Sequence, residues 1–123
     1  MTDQSTKEQG RIGEDIALNY LRKHGYKILE RNYRCRYGEI DLIAKDGKTL
    51  VFVEVKSRRS TAFGAPEEAV GTAKQKKIST AALWYLEEKN IRNHDARFDV
   101  VSILSTGQGR KVELIRDAFD LAW

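Results

Sequence analysis

Apolar residues recur at steps of three and four between about Glu8 and His24, where Ile12, Ile16, Ala17, Tyr20 and Leu21 fall on one face of a helix. Gly25 follows as its C-terminal cap, and residues 1–7 read as a frayed polar start. The period then changes. Tyr26 to about Tyr33 reads as a strand, with Tyr26, Ile28 and Leu29 before a polar end. GEIDLIA (38–44) and TLVFVEVKS (49–57) are β-rich runs joined by Lys45-Asp46-Gly47-Lys48, and Asp-Gly between two such runs marks a hairpin. RRSTAFGA reads as a loop. Pro66, Glu67 and Glu68 supply a helix first turn, with proline at the start and acids on the positive end of the dipole. That helix should run to about Lys89 with Val70, Ala73, Ile78, Ala82, Tyr85 and Leu86 inward. RFDVVSIL (97–104), the turn Thr106-Gly107-Gln108-Gly109 and KVELIR (111–116) add two strands. The order is helix, three strands, helix, two strands, an α/β chain with hairpin pairing inside it.

The hairpin sorts its own side chains. An Asp46-Gly47 loop sets Lys45 opposite Lys48 and Asp41 opposite Phe52. Residues opposed or two apart share a face, so Glu39, Asp41, Phe52, Glu54 and Lys56 lie together. Ile40, Leu42, Ala44, Val51, Val53 and Val55 form the other, wholly apolar face. Asp41 and Glu54 become diagonal neighbours roughly 7 Å apart. Carboxylates that close repel, and burial makes the repulsion worse. A hard cation relieves it, and Mg²⁺ is commonly held by one or two carboxylates plus phosphate oxygens and water. Lys56, one strand step beyond Glu54, can neutralise a phosphate oxygen or orient a water. A solvated hairpin face would carry similar residues. The tight apolar flanks favour a central pair of strands instead, and acids clustered inside a basic protein suit a metal that bridges acid to phosphate.

Composition narrows the classes. At 123 residues the chain makes one domain, 1–123, large enough to fold without a metal or disulfide staple. With 41% hydrophobic and 33% charged residues it is neither disordered nor low-complexity. Cys35 is the single cysteine and can form neither an internal disulfide nor a thiolate zinc site. No apolar run reaches membrane length and the polar start resembles no secretory leader, so the expected compartment is the cytoplasm. The net charge of +4 is compatible with a polyanion. Arg31, Arg34 and Arg36 alternate with Tyr33, Cys35 and Tyr37, a pattern suited to base stacking and phosphate contact, or to a solvated strand end. Arg58 and Arg59 follow Lys56, and Lys74, Lys76 and Lys77 lie mid-helix, where basic residues commonly form a solvated face. Lys74, one turn from Ile78, can point toward the sheet. Phe63 and Gly64 make a turn or a substrate-facing loop. Asp99 reads as a structural partner of Arg97; His24 and His94 read as surface residues, and Trp84 and Trp123 as packing residues.

An acid on one strand and acid-x-Lys on the next, after a helix carrying glutamate, resembles the PD-(D/E)xK nuclease superfamily. Asp41 matches the first acid, Glu54-Val55-Lys56 the acid-x-Lys element, and Glu14 the helical glutamate of the archaeal Holliday-junction resolvase branch. Ile40 stands where the motif has proline. GRIGEDIALNYLRKHGYKILERNYRCRYGEIDLIAKDG, FVEVKSR, FGAPEEAV and RFDVV, over about residues 10–104, resemble the small bacterial YraN family. The resemblance implies a restriction-endonuclease-like αβββαβ core, a mixed central sheet flanked by helices. It also implies a Mg²⁺- or Mn²⁺-dependent endonuclease acting on branched or structured DNA in repair or recombination, with a homodimer admissible and no membrane. On that reading Asp41, Glu54, Lys56 and Glu14 are catalytic, and Asp41, Glu54, Glu14 and Glu39 hold metal. Arg34, Arg36, Arg58, Arg59, Lys74, Gln75 and Lys76 bind nucleic acid. The alternative is a non-catalytic nucleic-acid-binding or adaptor module on the same fold, for which an intact acid-x-Lys has no use.

Overall fold

The computed structural model describes the backbone of residues 3–59 and 70–120, and the side chains of residues 10–59 and 70–120. Among them the elements run α1 (Asp3–Lys23), β1 (Lys27–Cys35), β2 (Gly38–Asp46), β3 (Thr49–Arg58), α2 (Thr72–Glu88), β4 (Ala96–Thr106) and β5 (Gly109–Phe119). The five strands form one sheet in the order β1-β2-β3-β4-β5. All neighbours are antiparallel except β3 and β4, which are parallel and joined through α2. The sheet is mixed, with a helix on each face.

β3 is the central strand, and a central strand in a covered sheet must be apolar on both faces. Leu50, Val51, Phe52 and Val53 are all at most 1% exposed. Val51 and Val53 pack with Leu42, Ala44, Val101 and Ile103 under Ala17 and Leu21 of α1. Leu50 and Phe52 pack with Ile43, Phe98 and Val100 under Ile78, Ala81, Ala82 and Tyr85 of α2. Each such side chain contributes about 1.5–3 kcal/mol by leaving water.

Several expectations shift by a residue or a face. Residues 3–7 continue α1 instead of fraying. α1 ends as expected at Gly25 (φ +85°), where Tyr26 N–H donates to Leu21 C=O (3.0 Å) and Gly25 N–H to Arg22 C=O (3.1 Å). Ile12, expected on the buried face, is 46% exposed and lines a cavity with Gly13 and Ile103. The hairpin turn is Gly47-Lys48, with Asp46 paired to Thr49. Gly47 takes φ +62° at the first turn position, which glycine allows. The register therefore moves by two residues and the faces are preserved. Ile40 is an exception: it joins the core beneath α2 with Tyr33, while Leu42 faces α1. α2 begins at Thr72 after Gly71, so Val70 is buried ahead of the helix and Ala73 is exposed. Pro66, Glu67 and Glu68, expected to open that helix, lie outside the described residues, as do Phe63, Gly64 and Trp123. Trp84, expected to pack, is 40% exposed.

Candidate functional site

The β2–β3 ladder stops at Leu42↔Val53. Beyond it β2 stays with β1, pairing Tyr33 with Ile40 and Arg34 with Glu39, while β3 stays with β4, pairing Glu54 with Val100 and Lys56 with Ser102. Two central strands thus part company, and the backbone groups at the fork need other partners. Asp41 supplies one: its Oδ2 accepts the Val55 N–H at 2.8 Å, in place of a ladder carbonyl. That contact holds the Asp41 carboxylate in the fork.

Glu54 flanks it and is 4% exposed. Its Oε1 lies 2.9 Å from Lys74 Nζ and 3.7 Å from Lys56 Nζ. Burial, and then the neighbouring Glu54 charge, push the Asp41 carboxyl up to about 7, although the Val55 hydrogen bond pulls the other way. Glu14 adds to the rise and Lys74 opposes it, so Asp41 feels groups from both helices. Burial draws the Lys74 ammonium down, but the Glu54 contact and the charges of Asp41 and Glu39 outweigh that and raise it. A cavity of about 290 Å³ opens over the fork, lined by Gly38, Glu39, Asp41, Lys74, Lys77 and Ile78. α2 packs on Gly38, whose φ of +155° favours glycine; a Cβ there would make ordinary contact, 3.4 Å, with the Lys77 carbonyl oxygen.

The remaining expected site residues are spread around this centre. Glu14 is tied to Arg31 (3.4 Å), which also grips Asp15 (2.7 Å) and the Arg11 carbonyl (3.3 Å). Glu39 pairs with Arg34 at 3.4 Å on the rim. Arg36 lies over the Tyr37 ring at 5.4 Å. Gln75 turns away, its amide donating to the Val70 carbonyl (2.7 Å) to fix the entry into α2. Lys76 is exposed. Arg58 and Arg59 line a separate cavity of about 300 Å³ with Ile12, Gly13, Ser57 and Arg110. Asp99 is structural: fully buried, it accepts from Arg97 Nε, Tyr26 Oη and the Asp117 N–H, each at 3.0 Å. Lys77, read with its neighbours as part of a solvated helix face, lines the cavity; its three-residue step from Lys74 on α2 is the signal that finds it.

The donor set suits a hard cation. Two carboxylates lie side by side, and Asp41 is held away from its charged form first by burial and then by Glu54, both of which a divalent ion offsets. Among the described residues no three Asp, Glu, His or Cys side chains converge as a closed metal cage. The pair fits an ion that takes the rest of its shell from water and phosphate, as Mg²⁺ does.

A mixed five-stranded sheet between two helices, consistent with a restriction-endonuclease-like fold, and an acid pair with acid-x-Lys at its forked centre define the structural class. The chain belongs to the uncharacterised protein family UPF0102, the YraN family, whose model matches residues 13–103. It is 55% identical over 114 residues to a UPF0102 protein of Syntrophus aciditrophicus, covering 93% of this chain and 90% of that relative. A UPF0102 protein of Geobacter metallireducens is 53% identical over 117 residues (95% and 96% covered). One from Geotalea daltonii is 52% identical over 118 residues (95% and 93% covered). Among the described residues no helix is long and apolar enough to cross a membrane.

Proposed function

We propose that the chain is a divalent-metal-dependent phosphodiesterase, an endonuclease acting on branched or otherwise structured DNA in repair or recombination. The observation that carries this reading is the meeting of Asp41, Glu54, Lys56 and Lys74 where β2 and β3 separate. Asp41 and Glu54 would hold Mg²⁺ or Mn²⁺, with Glu14 and Glu39 adding negative charge around them. When bound, such an ion supplies Lewis acidity toward phosphate and lowers the pKa of water. The Val55 N–H keeps the Asp41 carboxylate aimed into the fork. Attack by water on phosphorus forms one P–O bond and breaks another, and negative charge builds on the phosphate oxygens. Lys56 and Lys74, already within ion-pair distance of Glu54, can swing onto those oxygens and offset that charge. Arg34, Arg36, Arg58, Arg59 and Lys76 would contact backbone phosphates regardless of sequence.

One observation favours a second reading, a nucleic-acid-binding module without catalysis. Lys74 sits 2.9 Å from Glu54 and neutralises it with no metal needed. Thermal unfolding with added Mn²⁺ separates the two. The nuclease reading expects Mn²⁺ to raise Tm in the natural chain and not in Glu54→Ala; an identical response in both excludes Glu54 as a ligand and leaves the binding module. Lys74→Gln should strengthen the Mn²⁺ response, because it removes a cation that competes for the same oxygen.

A further inference from the structure

The core aromatics are packed: Tyr33, Phe52, Tyr85 and Phe98 are all buried. Tyr37 and Trp84 are not. Each is 40% exposed, and they touch each other across the surface, ring centroids 5.5 Å apart and tilted by 59°. Two large rings in contact at the surface form an apolar patch, which carries more meaning than a single exposed side chain.

Their surroundings indicate its use. Tyr37 immediately precedes Gly38 and Glu39 of the site cavity, and the Arg36 guanidinium lies 5.4 Å from its ring centre. Lys74, Lys77 and Trp84 fall on one side of α2, at steps of three and seven residues. At the rise of an α-helix, Trp84 stands about 15 Å along the axis from Lys74. The acids on Trp84's side of the next turn are engaged: Glu87 with Arg92 (3.2 Å) and Glu88 with the Tyr33 hydroxyl (3.3 Å). The exposed rings are thus bordered by available cations, Arg36 and Lys77. A protein partner seated here would have to strip water from those charges, whereas a nucleic-acid strand brings phosphates to them and π-faces to the rings.

We propose that Tyr37 and Trp84 form a stacking platform for unpaired bases, on a path that leads from the acid pair along α2. This rests on the nucleic-acid reading of the neighbouring site and narrows its substrate class to strands with a single-stranded segment beside the cleaved phosphate. Base–aromatic stacking tolerates any sequence, in keeping with a site whose other contacts are to backbone phosphate.

The test is a fluorescence titration of the full chain carrying Trp123→Phe, in EDTA so that no cleavage occurs. The probe is a dye-labelled oligothymidine of about 12 nucleotides, within the span such platforms cover, whose anisotropy reports affinity in every variant, including those without Trp84. A blunt duplex of equal length serves as control. The expected results are quenching of Trp84 by oligothymidine and a loss of affinity of about tenfold or more in Trp84→Ala, with Trp84→Phe keeping most of it and duplex binding unchanged. Trp84 is on the surface, so these variants fold. Equal oligothymidine affinity in Trp84→Ala overturns the platform. So does a parallel loss for duplex and single strand, and so does a change in self-association of the free protein with oligonucleotide binding intact, which would make the rings a protein contact. Because metal is absent throughout, a failure of the nuclease reading leaves the quenching in place, and a failure of the platform leaves duplex cleavage in place.

Discussion

Asp41 concentrates the chemistry in one side chain. Its folded carboxyl titrates near 7 against an ordinary 3.8, burial first and Glu54 second being responsible. A carboxyl raised on folding makes the folded state the better proton binder between those values. Stability from this group is therefore full below about pH 4 and declines as pH rises toward 7. Asparagine keeps the acceptor for the Val55 N–H and carries no charge. In the absence of metal, Asp41→Asn should raise Tm at pH 8 by on the order of a few °C and flatten the decline between about pH 4 and 7. A lower Tm at pH 8, or an unchanged slope, would mean that Asp41 is not held against its charge. Asp41, Glu54 and Lys56 were legible as a group because strand alternation fixes which residues share a face, and a two-residue change of register leaves parity intact. The exposure of Trp84 was not legible, since it depends on where α2 is docked, which no periodicity encodes.

At the scale of elements, the fork between β2 and β3 is the feature on which the site depends. The sequence pattern treats 38–44 and 49–57 as one ladder, and it places Ile40 with Leu42. In the structure β2 leaves β3 after Leu42, and Ile40 turns with β1 to the α2 side. Alternation reports the faces of a strand that keeps one partner; it is silent where a strand exchanges partners. α2 completes the site by packing on Gly38, whose φ of +155° is a backbone conformation that favours glycine. Gly38→Ala should destabilise the fold by about 1–2 kcal/mol in urea unfolding. Natural stability in Gly38→Ala would show that the backbone at Gly38 carries no strain.

Across the whole molecule, the element order was the most readable feature, since each segment shows its own period and the order alone selects a helix-covered mixed sheet. The network that closes the sheet at the end of β4 was only partly readable. Asp99 was expected to pair with Arg97. Arg97 also reaches Asp46 beside the hairpin turn (2.7 Å) and the Tyr26 hydroxyl (2.7 Å), contacts between residues 51 and 71 apart in the chain. Burial and the Asp99 charge raise the Tyr26 hydroxyl pKa, and the Asp99 and Asp46 contacts raise that of Arg97 against the effect of burial. Removing one partner of a buried pair strands the other, so Asp99→Ala should cost about 3–5 kcal/mol of unfolding free energy. The Mn²⁺ response of the protein that remains folded should persist; its loss would tie this network to the site.

The claim on which the account turns is that Asp41 and Glu54 cut phosphodiester bonds with a divalent ion. Cleavage tests it most directly: labelled linear duplex, single-stranded, flap and four-way-junction DNA with Mg²⁺, Mn²⁺ or EDTA, with folded Asp41→Ala alongside. The expected result is metal-dependent cuts that favour substrates with a junction or an unpaired strand and that vanish in Asp41→Ala. Cuts that survive in folded Asp41→Ala, or tight salt-sensitive binding with no cut under any metal, would contradict it.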